Sequence, residues 1–279
     1  MVNLPLATSD ELQTSAAGLS PEDVLVLQDA WRRLEIMPFG ARLTAAIGRR
    51  IDDATLILPE RLREIARKAA TRALSSAMKA TLKSLSHAPR RPSPRLHQML
   101  AVTSGAAGGA FGFMSLPVEL PISTMILLRA IADIARAEGE DLSHPDAALA
   151  CIEVFALGSH SKDDDFLSSS YFAMRALLAR SVSDAAQYVA ASATASQTAP
   201  VILNLINQIA ARYGIAVTKK IMAQAVPLLG AAGGAAINYA FIQHFQSLAK
   251  GHFAIRRLEL KYGAAFIQKR YEALQGSAL

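Results

Sequence analysis

Glu119 has the setting that most invites chemistry. It is a lone carboxylate between Pro117 and Pro121, in the otherwise apolar stretch Leu116 to Pro121. Burying such a carboxylate without a partner would be costly. Arg129, Arg256 and Arg257 are the cations the sequence offers it. On one reading Glu119 forms a buried ion pair that pins two halves of the fold together. On the other it contacts a ligand or titrates. Glu119, Arg129, Asn238, His244, His252 and Arg256 make up a candidate polar site.

Other chemistry-bearing residues fit standard signatures less well. The sequence holds no Walker A string, no H-E-x-x-H, no G-x-S-x-G and no C-x-x-C. Gly158-Ser159-His160-Ser161 sets a serine beside a histidine, but sequence neighbours rarely form a catalytic pair. His160 with Asp163, Asp164 and Asp165 offers mixed metal ligands, or else acids that cap the next helix. His244 and His252 are two helical turns apart, about 12 Å, too far to share one metal. They read as interface or hydrogen-bonded core histidines. The single Cys151 lies in an apolar helical run, reads as a buried structural thiol and suits a reducing compartment. This pattern requires neither a metal nor a cofactor, and it leaves open whether the protein is an enzyme.

The elements that position these residues read as helices throughout. Hydrophobic residues make up 52% of the chain and aromatics only 6%, with Ala and Leu abundant. That balance favours closely packed helices over strands and excludes general disorder. Ser20-Pro21-Glu22-Asp23 is a helix start, with Ser as N-cap and Pro in the first helical position. A helix to about Leu34 follows, then a second over 41–53. A third from Pro59 to about Leu85 is amphipathic, with Leu62, Ala66, Ala70, Leu74, Met78, Leu82 and Leu85 along one face. Further helices are expected over 122–138 with a stop at Gly139, from Pro145 to Gly158, over 166–193 with a break near Ser181–Ser183, from Pro200 to about Arg212 with a stop at Gly214, over 215–225, in the glycine-faced run after Pro227, and in a basic amphipathic end from about His244 to Leu274. Leu116 to Pro121 reads as a proline-bracketed break.

Charge is distributed unevenly. Ten Lys and Arg face two Glu between Pro59 and Arg95, a local +8 in a chain whose net charge is +6. Arg61, Lys68, Arg72, Lys79 and Lys83 form a basic face on the third helix. Such a face can lie on an anionic membrane, or it can be the solvated side of a helix packed in the core. No aromatic or recognition motif accompanies it, so no nucleic-acid partner is expected. Nor does the N-terminus carry the basic and apolar regions of a signal peptide.

Two uncharged, glycine-faced runs stand out. The string GAAGGA occurs at Gly105–Ala110 and again at Gly230–Ala235. Gly105, Gly108, Gly109 and Gly112 in the first, and Gly230, Gly233 and Gly234 in the second, present small faces for close backbone approach. Each run is about 21–22 residues, long enough for a bilayer core, yet Ala and Gly give little transfer energy. A buried hairpin of two crossing helices is the favoured reading, with a re-entrant or conditionally inserted hairpin as the alternative. The expected architecture is therefore all-α, a multi-helix globular domain around two crossing glycine-faced helices. The chain divides into a tail (1–19), an N-terminal helical region (20–86), a Pro/Arg linker (87–95) and a helical core (96–275).

The C-terminal half also carries a family likeness. Ala223-Gln224-Ala225-Val226-Pro227, Gly230, Gly233-Gly234, Asn238, Phe241, His244-Phe245, Ala249, His252-Phe253, Arg256-Arg257-Leu258-Glu259 and Tyr262-Gly263 closely resemble the C-terminal signature of the EcsC protein family. Gly108-Gly109, Leu116 to Pro121, Arg129, Ala132 and Gly139-Glu140-Asp141-Leu142 are similar to its other block. The resemblance covers roughly residues 60–265. The family is named for the third gene of a bacterial operon whose other products form an ABC-type exporter, and the resemblance implies a compartment more than an activity. A hydrolase activity suggested for the family finds no matching nucleophile arrangement here. The expectation is a membrane-associated accessory protein, held peripherally on the inner face of the cytoplasmic membrane by anionic lipid, with an ABC transporter as possible partner. The alternatives are a hydrolase-like enzyme whose site lies where the glycine-faced helices cross, and a conditional membrane-inserting protein.

Overall fold

In a computed structural model, the described residues are 18–36, 60–84, 116–158, 170–192, 196, 198–224 and 230–277. The expected helix 41–53, the linker, the glycines at 105–112, the side chain of Arg61 and the His160–Asp165 loop lie outside them. The described residues form eight α-helices and no strand. These are α1 (Pro21–Trp31), α2 (Glu60–Ser84), α3 (Leu116–Ala137), α4 (Pro145–Leu157), α5 (Tyr171–Ala191), α6 (Pro200–Gln224), α7 (Gly230–Tyr262) and α8 (Ala264–Ser277).

α1 begins where its capping residues place it. The Asp23 amide donates to Ser20 Oγ across 3.2 Å, and Pro21 opens the first turn. The helix continues through a wider π turn, Arg32–Ile36. α3 ends at Gly139, whose φ of 94° suits glycine, and the Glu140 amide returns to Ala135 O at 3.0 Å.

Four sequence expectations are corrected. Leu116 to Pro121 is the first part of α3, not a break. Pro121 sits early in the helix, where its missing N–H removes a single intrahelical bond. α5 runs unbroken through Ser181–Ser183, and the buried Ser181 hydroxyl accepts from Gln208 of α6 at 2.7 Å. α6 runs straight through Gly214, whose bare Cα lies beside Arg67 of α2. The glycine-faced run and the basic end expected from His244 are one helix, α7, unbroken through His244, and the stop comes instead at Gly263, where a φ of 91° separates α7 from α8.

Buried residues from α1 through α8 form one contiguous apolar cluster. α2 lies against α3 and α6, α4 against α5 and α6, and α7 crosses α3, α4, α6 and α1. At 33 residues and about 1.5 Å per residue, α7 is the longest of the described helices, about 50 Å. Its aromatic side chains Phe241 and Phe245 meet Phe155 and Tyr213, with ring centroids 5.0 to 6.1 Å apart. α6 is also long and apolar enough to cross a bilayer: over Pro200–Ala223 its most apolar 18-residue window has a mean hydropathy of 1.2, and half of that window is buried within the fold.

α1 is tied down by one carboxylate. Asp23 Oδ2 accepts from Lys261 Nζ and from Tyr262 OH, each at 2.6 Å. The hydrogen bond from Lys261, then those from Tyr262 and Ser20, hold the Asp23 carboxyl well below its ordinary range. The folded-state value lies below the unfolded one. The contact therefore stabilises fully above about pH 4 and is lost as acid titrates the folded carboxylate. Trp31, the sole tryptophan, is expected to report this as an acid-limb change in fluorescence. Asp23→Asn should abolish that limb, and an identical limb in the variant would disprove the role of Asp23.

Candidate functional site

Glu119 lies in the first turns of α3 and faces inward, 5% exposed. Its partner is Lys220 of α6, not Arg129, Arg256 or Arg257 as the sequence suggested. Lys220 Nζ donates to Glu119 Oε1 at 2.8 Å and to Asn238 Oδ1 of α7 at 2.9 Å. The Lys220 side chain is fully buried, and the ammonium lies 4.9 Å from the centre of the Phe241 ring. Three helices thus converge on one amine, with a carboxylate, an amide and an aromatic face around it. Glu119 Oε2 is buried and has no hydrogen-bond partner among the described residues. One turn further along α3, Thr124 Oγ1 and Tyr213 OH share a 2.8 Å hydrogen bond. Burial, with the Glu119 charge adding to it, pushes the Tyr213 phenol above its ordinary range.

Lys220 was missed because α6 was expected to stop at Gly214. Carried through that glycine, the stripe Ile206, Ile209, Tyr213, Ala216 and Val217 steps by threes and fours onto Lys220. A lysine on an apolar stripe was the available signal.

The other candidates do not join this group. Arg129 is exposed on α3. Arg256 forks onto Glu140, with Nη2 3.2 Å from Oε2, and Arg257 meets Glu138 at 3.0 Å. Together they clamp the turn after α3 onto α7. His244 is buried, its Nε2 3.4 Å from Gly158 O and its ring edge-on to Phe245. His252 Nδ1 lies 3.0 Å from Tyr171 OH in a second buried polar group. There Arg175 forks onto Glu259 at 2.6 and 3.0 Å, 5.4 Å from the Tyr171 ring centre. Burial, then the charges on Arg175 and Arg256, hold the His252 imidazole well below its ordinary range, so it is neutral at neutral pH. Buried Glu153 of the same neighbourhood is raised by desolvation. Cys151 is buried, and its thiol is pushed up to about 12, which makes it inert as a nucleophile.

Gly233 and Gly234 fall in the first two turns of α7, but the crossing of two glycine-faced helices depends on residues outside those described. Close approaches at described glycines occur elsewhere. A Cβ on Gly158 would lie 2.6 Å from Phe245, and one on Gly251 would lie 2.8 Å from Leu34 Cγ.

Among the described side chains, the basic face of α2 is displayed. Lys68, Arg72, Lys79 and Lys83 are exposed, while Ala66, Ala70, Ala73, Leu74, Ala77 and Met78 are buried against α3 and α6. Glu64 is the one acid among the described side chains of this helix, 2.6 Å from Lys68.

Neither the curated proteins nor the solved structures yielded a match to this chain. Glu119, Lys220 and Asn238 all fall within residues 36–258, the stretch matched by the model of the EcsC protein family, and the chain belongs to that family.

Proposed function

We propose that the protein is a membrane-associated accessory protein, held peripherally on the inner face of the cytoplasmic membrane by the basic face of α2. The observation that carries this reading is the split between the two sides of α2. Its apolar stripe is buried in the core, and five cations, Arg67, Lys68, Arg72, Lys79 and Lys83, are exposed. With the apolar stripe engaged, the helix has little left to insert, so adhesion is electrostatic. Each cation near an anionic surface contributes about 1 kcal/mol, screened by salt within roughly 10 Å. Family membership supports a post beside an ABC-type exporter as part of the same proposal. The test is sedimentation with phosphatidylglycerol-containing vesicles. The wild type is expected to bind and to be released by salt. Lys68→Gln, Arg72→Gln, Lys79→Gln and Lys83→Gln combined are expected to abolish binding, and undiminished binding by this variant would refute the proposal.

A second reading, an enzyme centred on Glu119, Lys220 and Asn238, is favoured by the buried Glu119 oxygen that lacks a hydrogen-bond partner among the described residues. A ligand there would need access to the carboxylate. Carbodiimide labelling of Glu119 in the folded protein would favour this reading, and protection until unfolding would favour a purely structural ion pair. Dye leakage from vesicles would instead point to membrane insertion.

A further inference from the structure

The cations of α2 are not equivalent. Arg67, Lys68 and Arg72 line an open groove of about 840 Å³ between α2 and α6, together with Ser75, Ser76 and Asn207. Lys79 and Lys83 lie on the same exposed side of α2 but outside the groove. We infer that this groove is a binding site for a single phosphate group, as carried by a phospholipid headgroup; the inference rests on the membrane reading above and narrows it to three cations.

The donors left in the groove suit a phosphate. Thr71 and Ser76 direct their hydroxyl protons back to Arg67 O and Arg72 O, each at 3.0 Å, so they stay within the helix. The two guanidinium forks, the Ser75 hydroxyl and the Asn207 amide remain to face an incoming anion, and the Lys68 ammonium is shared with Glu64. Guanidinium groups match phosphate oxygens in pairs, which a diffuse surface charge does not do. Glu64 lies outside the residues lining the groove but pairs with Lys68 at 2.6 Å, so the guanidinium groups of Arg67 and Arg72 carry most of the attraction for an anion. No aromatic lines it either, which removes the stacking platform that a single-stranded nucleic acid would use. Ala210 and Ala211 of α6 keep the opposite wall low enough for a headgroup to enter.

The experiment compares two pairs of equal charge change in the full chain, Arg67→Gln with Arg72→Gln and Lys79→Gln with Lys83→Gln. All four side chains are exposed, so both variants should melt like the wild type. Binding is measured to phosphatidylcholine vesicles containing phosphatidylglycerol, and separately to inorganic phosphate and glycerol 3-phosphate by calorimetry. The groove pair is expected to weaken vesicle binding at least about tenfold more than the other pair, because it removes paired hydrogen bonds as well as charge. Glycerol 3-phosphate should compete with the vesicles for the wild type. Equal losses in the two pairs would overturn the groove while leaving the membrane reading intact. If the wild type ignores the vesicles but binds phosphate through Arg67 and Arg72, the membrane reading falls and the groove stands with a soluble phosphate ester as its ligand. Binding to neither overturns both.

Discussion

Replacing Lys220 by Met is expected to lower the stability of the fold by roughly 3–5 kcal/mol at neutral pH. At about 2–4 °C per kcal/mol for a chain near this size, the melting temperature should fall by roughly 6–20 °C. The size of the effect comes from what is left behind, not from the worth of the pair. Glu119 would keep its buried position and lose the ammonium that donates to it at 2.8 Å. Asn238 would lose the same donor at 2.9 Å. An orphaned carboxylate can escape by taking up a proton, so the deficit should shrink as the pH is lowered. Glu119→Gln combined with Lys220→Met removes both charges and should recover part of the loss, since a buried pair replaced as a whole is often nearly neutral. Thermal and urea melts of the single and double variants measure these terms. A Lys220→Met protein as stable as the wild type would mean that the amine is solvated and the three-helix junction is not as described.

Gly158→Ala should cost about 1–3 kcal/mol, although alanine is the better residue by intrinsic preference. The backbone at Gly158 has φ −77° and ψ 3°, which any residue can adopt, so the glycine is not there for conformational freedom. It is there for space. An added Cβ would meet Phe245 Cε1 and Cζ, each at 2.6 Å. That ring cannot swing aside, because Phe155, Tyr213 and Phe241 surround it with centroids 5.0 to 5.6 Å away. The end of α4 would have to move off α7, carrying Gly158 O away from His244. Pairing the substitution with Phe245→Leu should relieve part of the strain. An unchanged melt for Gly158→Ala alone would contradict the packing at this crossing.

The all-α class and most helix starts were legible because they depend on local chemistry. The cap at Ser20, prolines at first helical positions and the stop at Gly139 act within one turn. Helix ends and the interior of the site were less legible, for a common reason. Glycine and proline were read as interruptions at 121 and 214, where the surrounding packing tolerates both within a helix. With α6 cut at Gly214, Lys220 lost its register with the apolar stripe, and Glu119 was assigned the wrong candidate partners. Which cation reaches a buried carboxylate depends on helix crossings between residues about a hundred positions apart, and a single sequence does not encode those crossings locally. The basic face of α2, by contrast, could be read directly, because one helix contains both the charge and its periodicity. Its division into groove and non-groove cations could not, because the groove needs Asn207 of α6.

The central claim is peripheral, charge-held attachment to the membrane, and fractionation of the native protein tests it most directly. Membranes are washed first with concentrated salt and then with alkaline carbonate, and the protein is followed in each wash. Release by salt is the predicted result, with α6 and α7 buried inside the fold. Retention through both washes would mean that apolar helices insert, and recovery entirely in the soluble fraction would mean that the basic face meets no membrane; either result contradicts the account.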